Sequence, residues 1–349
     1  MKTEARRTTV VPDSPRQHAW RIAEAVDEAW HGHFGGSRVE IPISVVAALA
    51  LVEQRDPEGP DLADLFLRFD QHGFAALLRN IWCKFAIVRP DLLPRTKPLW
   101  EWLDEDDLDD HLLRAVHATG QAALKKRQLQ LTGVAWRREE VDLLGSVLQA
   151  MRSRSARGGL GQFLTPVDVA ETIGSILHPA VTGDHEGEEF AGGLLVASEG
   201  ARVMEPCCGT GTMLLGAAKA MRQQGHDPAK NEWWANDIDW LAAACCAVNM
   251  HCWGLGPRVV IGCGDGLLND WMREALDQRQ AAIDELLGLW EVARKMATLR
   301  RLLDLPTPED PLTRHIREAA TKMPPEPRPA PPHSSTFDPD AAYRQARLF

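Results

Sequence analysis

The 349 residues predict an α/β protein with a helical N-terminal domain, and three observations carry that reading. From Ser14 to about Ala156, apolar residues recur at helical spacing, as in Leu62, Leu65, Phe69, Phe74, Leu77 and Leu78, with few strand-like alternations. Between about Gly158 and Asn269, short β-rich runs end in glycine-bearing turns, each followed by a helix of small residues. Beyond Pro306 proline becomes dense, and residues 324–339 have the composition of an extended, unpacked tail. The expected division is therefore 1–13 as a flexible N-terminus, 14–156 as the helical domain, 157–269 as the α/β core, 270–305 as one long amphipathic helix, and 306–349 as a proline-rich flexible tail. Within the helical domain, Pro42, Pro57, Pro60, Pro90, Pro94 and Pro98 are expected to separate short helices. The long helix carries Leu276, Ile283, Leu286, Trp290, Met296 and Leu299, a stripe that needs something to bury against.

Composition excludes several classes. A formal net charge of −10 argues against non-specific coating of nucleic acid, because that affinity comes from Lys and Arg neutralising phosphates. Two local clusters, Arg152/Arg154/Arg157 and Lys125/Lys126/Arg127, are read either as solvated helix faces or as phosphate-binding surfaces. No apolar run approaches the roughly 18 residues needed to cross a bilayer, so no membrane contact is expected. Lys2, Arg6 and Arg7 are followed by polar sequence rather than by the apolar stretch of a secretory signal, which makes the cytoplasm the expected compartment. Seven cysteines, an odd number, include the adjacent pairs Cys207/Cys208 and Cys245/Cys246, the usage of reduced intracellular thiols. Adjacent cysteines on a helix point about 100° apart and no Cys-x-x-Cys spacing occurs, so no metal site is expected.

Four strings in the α/β part carry the chemistry. In Gly161-Gln162-Phe163-Leu164-Thr165-Pro166, Thr165 suits a helix N-cap and Pro166 a first helical residue. In Ala201-Arg-Val-Met-Glu205-Pro-Cys207-Cys-Gly209-Thr-Gly211-Thr, a short strand runs into a glycine turn that opens a helix. Without Cβ atoms at Gly209 and Gly211 the backbone can approach a ligand, and the helix start presents free N–H groups. Taken alone, such a pair is equally a tight strand-to-helix turn. In Glu232-Trp-Trp-Ala-Asn-Asp237-Ile-Asp239, a second strand ends in acids. An acid at that point of a dinucleotide-type fold accepts hydrogen bonds from two ribose hydroxyls, and Asp237 is the expected one; Asp239 is the runner-up, more simply read as the helix N-cap. A third strand, from Arg258, ends in Gly264-Asp265-Gly266.

In order and spacing these strings resemble the adenine-specific (N6) DNA methyltransferases, in particular the methylating subunits of type I restriction-modification systems. The Gly-Gln-Phe-x-Thr-Pro string is the most family-specific, with Leu164 standing where the family usually has Tyr. The resemblance covers about Gly158 to Leu268 and implies a Rossmann-like core that binds S-adenosyl-L-methionine. Phe163, Thr165 and Pro166 would border the methionine moiety. The loop of Glu205, Cys207, Gly209 and Gly211 would hold it with Glu205 at the amino group, and Asp265 would lie at the adenine ring. The helix after Asp237 looks like the family helix that carries an Asn, here Asn249. DNA is the implied partner.

The family's next string, (Asp/Asn/Ser)-Pro-Pro-(Tyr/Phe/Trp), positions the target adenine, and it does not occur in the sequence. The Pro324-Pro325 and Pro331-Pro332 pairs have the wrong neighbours. No catalytic residue is therefore assigned, and only strands one to three of the usual sheet are expected. Strand 202–204, central in the family, would then be an edge, to be covered either by the long helix or by a partner subunit supplying the missing half. The final residues Gln345-Ala-Arg-Leu348-Phe349 resemble the short peptide that binds the bacterial replication sliding clamp, whose apolar anchors enter a preformed pocket.

Overall fold

The computed structural model describes residues 14–54, 61–104, 108–152, 165, 167–177, 200–268, 270–302, 312–315 and 346–348. The helical part contains α1 (Pro15–His33), α2 (Glu40–Ala50), β1 (Val52–Gln54), α3 (Leu62–Phe66), α4 (Gln71–Val88), α5 (Leu93–Trp100), α6 (Asp110–Lys125), α7 (Gln128–Thr132), α8 (Ala135–Arg138) and α9 (Leu143–Met151). Asp61, Asp70, Asp109 and Asp142 fix four of the helix starts, each accepting a backbone N–H from the first turn. The prolines act less uniformly than expected. Pro90 and Pro94 sit at helix starts, where a missing N–H costs nothing, whereas Pro42 lies in the first turn of α2 and Pro98 inside α5. Helix α2 is buried from Ile41 to Ala50 and forms the axis around which the others pack.

The α/β part contributes α10 (Val167–Leu177), β2 (Arg202–Glu205), α11 (Thr212–Gln223), β3 (Glu232–Asp237), α12 (Trp240–Cys252) and β4 (Val259–Cys263). The three strands are parallel in the order β2-β3-β4. Each is followed by a helix, as the texture of the sequence predicts, and the protein as a whole is mostly helical around this small sheet. Helix α12 explains how the two parts join. Leu241 to Met250 are buried without exception, since α12 packs on β3 and β4 and also on α2, α5 and α9. One continuous hydrophobic core results, reaching from Ile22 and Trp82 to Trp233 and Val259.

Helix α13 (Asp270–Leu302) runs for 33 residues and buries little of itself. Trp271 and Ala275 pack with Trp234 of β3 and Val260 of β4, and the helix also meets residues 90–100. It therefore lies over β4, and among the described residues β2 has β3 as its single partner in the sheet. Of the two covers open for that edge, the long helix is not the one the structure uses. The tail also departs from expectation, because two pieces of residues 306–349 are packed. Leu312 is buried, and β5 (Ala346–Leu348) pairs antiparallel with β1, Leu348 facing Val52 in register. The peptide resembling a clamp ligand thus has its central residues on a sheet edge, while Gln345 and Phe349 lie outside the described residues. No helix among the described residues is long and apolar enough to cross a membrane.

Candidate functional site

The turn after β2 needs its glycines. Gly209 has φ +53° and Gly211 φ +95°, the left-handed region that favours glycine. A Cβ on Gly211 would lie 3.0 Å from the Cys246 sulfur and 3.1 Å from the Trp253 ring, so the loop is pressed against α12. Helix α10 approaches from upstream, and a Cβ on Gly216 of α11 would meet the Ala170 carbonyl oxygen at 2.4 Å. Arg16 of α1 pairs with Asp168 of α10 at 2.8 Å. These contacts bring Thr165 towards the start of α11, although Phe163 and Pro166 lie outside the described residues.

The remaining predicted residues meet at the C-terminal ends of the strands. Asn236, in β3, joins the three turns: its Nδ2 donates to Pro206 O at 3.1 Å and to Gly264 O at 2.9 Å. Its own backbone carbonyl accepts from Cys208 N at 2.8 Å. Gly266 comes so close to the first loop that a Cβ there would be 2.5 Å from Pro206 O. Glu205, Asp237 and Asp265 therefore cluster around Cys207. Partial desolvation, together with the negative field of these three acids, holds the Cys207 thiol above its ordinary value. It stays protonated at neutral pH and is a poor nucleophile. A hydrogen bond with the Cys246 thiol, and then burial, raise Cys208, and burial raises Cys245 and Cys252, so none of the three is a ready thiolate.

The acids are partly committed within the protein. Asp237 accepts from Gly209 N at 2.7 Å with one oxygen and from Asp239 N at 2.9 Å with the other. Glu205 accepts from Cys207 N at 3.1 Å, and exposed Asp265 from Leu267 N at 2.9 Å. A carboxylate offers about four acceptor positions, so each keeps capacity for a ligand. Asp239 is the N-cap expected of it, bonding Leu241 N, and its second oxygen pairs with Arg152 at 2.6 Å. Arg152 is therefore an internal tie rather than part of an open basic surface, and Arg154 and Arg157 lie outside the described residues.

The sequence reading missed Asp142, the N-cap of α9, which is buried beneath the loop. One oxygen accepts from Thr210 and Thr212 hydroxyls, the latter at 2.8 Å, and the other from Gly145 N at 2.7 Å and Asn249 Nδ2 at 2.8 Å. Asn249 donates again to Thr210 O at 2.9 Å. Burial raises the Asp142 carboxyl above its usual range, opposed by the four hydrogen bonds. Four donors on two oxygens suit the ionised form, and the start of α9 faces the same charge. Asp-x-x-Gly at residues 142–145 signals a cap in the sequence; its reach to residues 210, 212 and 249 is a property of the fold alone.

A cavity of about 640 Å³ opens beside this buttress, between α1, α9, Thr165 and Thr212. Of the predicted cofactor residues, it shares Thr165 alone among those described. The acid cluster is the candidate site, because it brings Glu205, Asp237 and Asp265 together at the strand ends beside the glycine loop, whereas the cavity reaches only Thr165 of the predicted residues. No metal-ligand cluster of His, Cys, Asp or Glu occurs among the described residues.

Comparison with known families matches residues 140–284 to the model described as N-6 DNA Methylase. No curated protein and no solved structure matches the chain. The matched stretch begins two residues before Asp142 and ends within α13, so buttress, glycine loop and acid cluster all fall inside it.

Proposed function

We propose, from the premise that residues 140–284 belong to the N-6 DNA methylase family, that this chain binds S-adenosyl-L-methionine at the ends of β2, β3 and β4 in a Rossmann-like core. It acts as the cofactor-holding part of an adenine-N6 DNA methyltransferase of restriction-modification type. The observation that carries this is the convergence of Glu205, Asp237 and Asp265 around a loop whose glycines leave backbone exposed. That arrangement suits a ligand with an ammonium group, a ribose diol and an adenine ring. Glu205 meets the ammonium. Asp237 takes the two ribose hydroxyls on its uncommitted acceptor positions, and its bond to Gly209 N keeps the loop open. Asp265 borders the adenine, and Thr165 and Phe163 flank the methionine end. When bound, the cofactor supplies an electrophilic methyl group on its sulfonium.

Transfer to adenine N6 is a direct displacement, so the rate rests on in-line positioning of the target. The family's Pro-Pro string that performs this is absent from the sequence. In this reading the positioning residues, and recognition of the DNA site, come from a partner subunit joined at the open β2 edge. A cofactor-binding, DNA-associated regulator without turnover is the second reading, favoured by the same absence. Binding to the sliding clamp through Gln345, Leu348 and Phe349 belongs to the proposal as well, and it requires release of β5 from β1.

The test is transfer of labelled methyl groups from S-adenosyl-L-methionine to unmethylated, mixed-sequence DNA by the purified chain. Cofactor binding without transfer is expected. Turnover by the chain alone would overturn the assignment of target positioning to another polypeptide.

A further inference from the structure

The part of α13 beyond Leu286 leaves the protein body. Leu287, Leu289, Trp290, Val292, Met296 and Leu302 are all exposed, Trp290 by 60% and Leu302 by 77%. Large apolar side chains spread around 16 successive helical residues make a surface that soluble proteins rarely leave open. The charges of the helix are divided just as sharply. Residues 270–286 carry a net −3, with Asp277, Asp284 and Glu285 exposed, whereas residues 287–302 carry a net +3, with Arg294, Lys295, Arg300 and Arg301 exposed. None of these seven makes an ion pair among the described residues.

We infer that α13 is the contact surface of a homodimer, pairing antiparallel with α13 of a second copy of the chain. Antiparallel pairing about the middle of the helix sets the acidic half of each copy on the basic half of the other. Parallel pairing instead opposes like charges along the whole length. The helix is about 50 Å long at 1.5 Å per residue, enough for several turns of contact on each side of the midpoint. A two-fold axis through the midpoint makes the contact self-complementary, so the contact between one copy's basic half and the other's acidic half is made twice. Burial of Trp290 and its neighbours supplies affinity, and the charge division supplies orientation and register. Dimerisation through α13 leaves the β2 edge free, so this inference is independent of the methyltransferase reading.

Sedimentation equilibrium of the full chain tests it. Wild type is expected to be a dimer at micromolar concentration, weakening as salt rises. Reversing the basic half (R294E/K295E/R300E/R301E) or the acidic half (D277K/D284K/E285K) makes each helix single-signed, and each variant alone is expected to be monomeric. Mixed together, the two variants are expected to re-form a dimer, which also shows that both are folded. A wild-type monomer at about 100 µM overturns the inference, because another segment or another polypeptide then covers the helix. Charge-reversed variants that dimerise as well as wild type overturn the antiparallel arrangement.

Discussion

The two sides of the glycine loop are built oppositely. Beneath it, Asp142 is buried and accepts four hydrogen bonds, from Gly145 N, Thr210, Thr212 and Asn249, all made inside the protein. Above it, Glu205 and Asp237 are half-buried, Asp265 is exposed, and each has acceptor positions to spare. The same residue type serves stability below and recognition above, and what separates the two is whether every lone pair is used. A closed network holds the loop in shape, which lets the open face bind without having to order itself first.

Removing the buttress has the largest expected effect on this contrast. Asp142→Ala leaves buried donors on Thr210, Thr212, Gly145 and Asn249 without an acceptor, and should cost about 3 kcal/mol or more in urea unfolding. A loss below about 1 kcal/mol would mean that the underside is not closed. On the open face, Asp237→Ala should lower cofactor affinity by about 1.5 to 3 kcal/mol, roughly tenfold to a hundredfold, by calorimetric titration. An unchanged affinity would remove Asp237 from the ribose.

The contact between the helical part and α12 gives a pH test. His251 is half-buried, lies edge-on to Phe85 with centroids 5.4 Å apart, and its Nδ1 is 3.3 Å from Arg89 Nη1. Burial, and then the neighbouring arginine charge, depress its pKa from 6.5 to about 3. A depressed folded-state pKa means stability that is complete above pH 6.5 and lost as pH falls towards 3. At about 1.4 kcal/mol per pH unit, wild type should lose about 2 kcal/mol from this group between pH 6.5 and 5. His251→Gln should remove that slope, and a variant with the wild-type slope would show that His251 is already charged. The smallest effect is expected at Cys207, which is exposed on the open face: Cys207→Ser should change unfolding stability by no more than about 0.5 kcal/mol.

Local chemistry was legible in the sequence. Strand ends, the glycine turn, the Asp239 cap and the length of α13 all follow from patterns within a few residues of each other. Contacts between elements far apart in the chain were not. Asp142 reads as an ordinary cap until the fold places it under residues 210–212, and Asn236 reads as a strand residue until three loops converge on it. Arg152 looked like part of a basic surface because its partner, Asp239, is 87 positions away. The tail was misread for the opposite reason: its proline content describes residues 324–339, while the short apolar pieces at 312 and 346–348 find partners that composition does not reveal.

The most direct test of the open face is isothermal titration of S-adenosyl-L-methionine into the purified wild-type chain, with Asp237→Ala alongside. One cofactor bound per chain, with affinity reduced by at least tenfold in a variant that remains folded, is the predicted result. A folded wild-type chain that binds no cofactor would contradict the account, leaving the glycine loop and its acids as architecture alone.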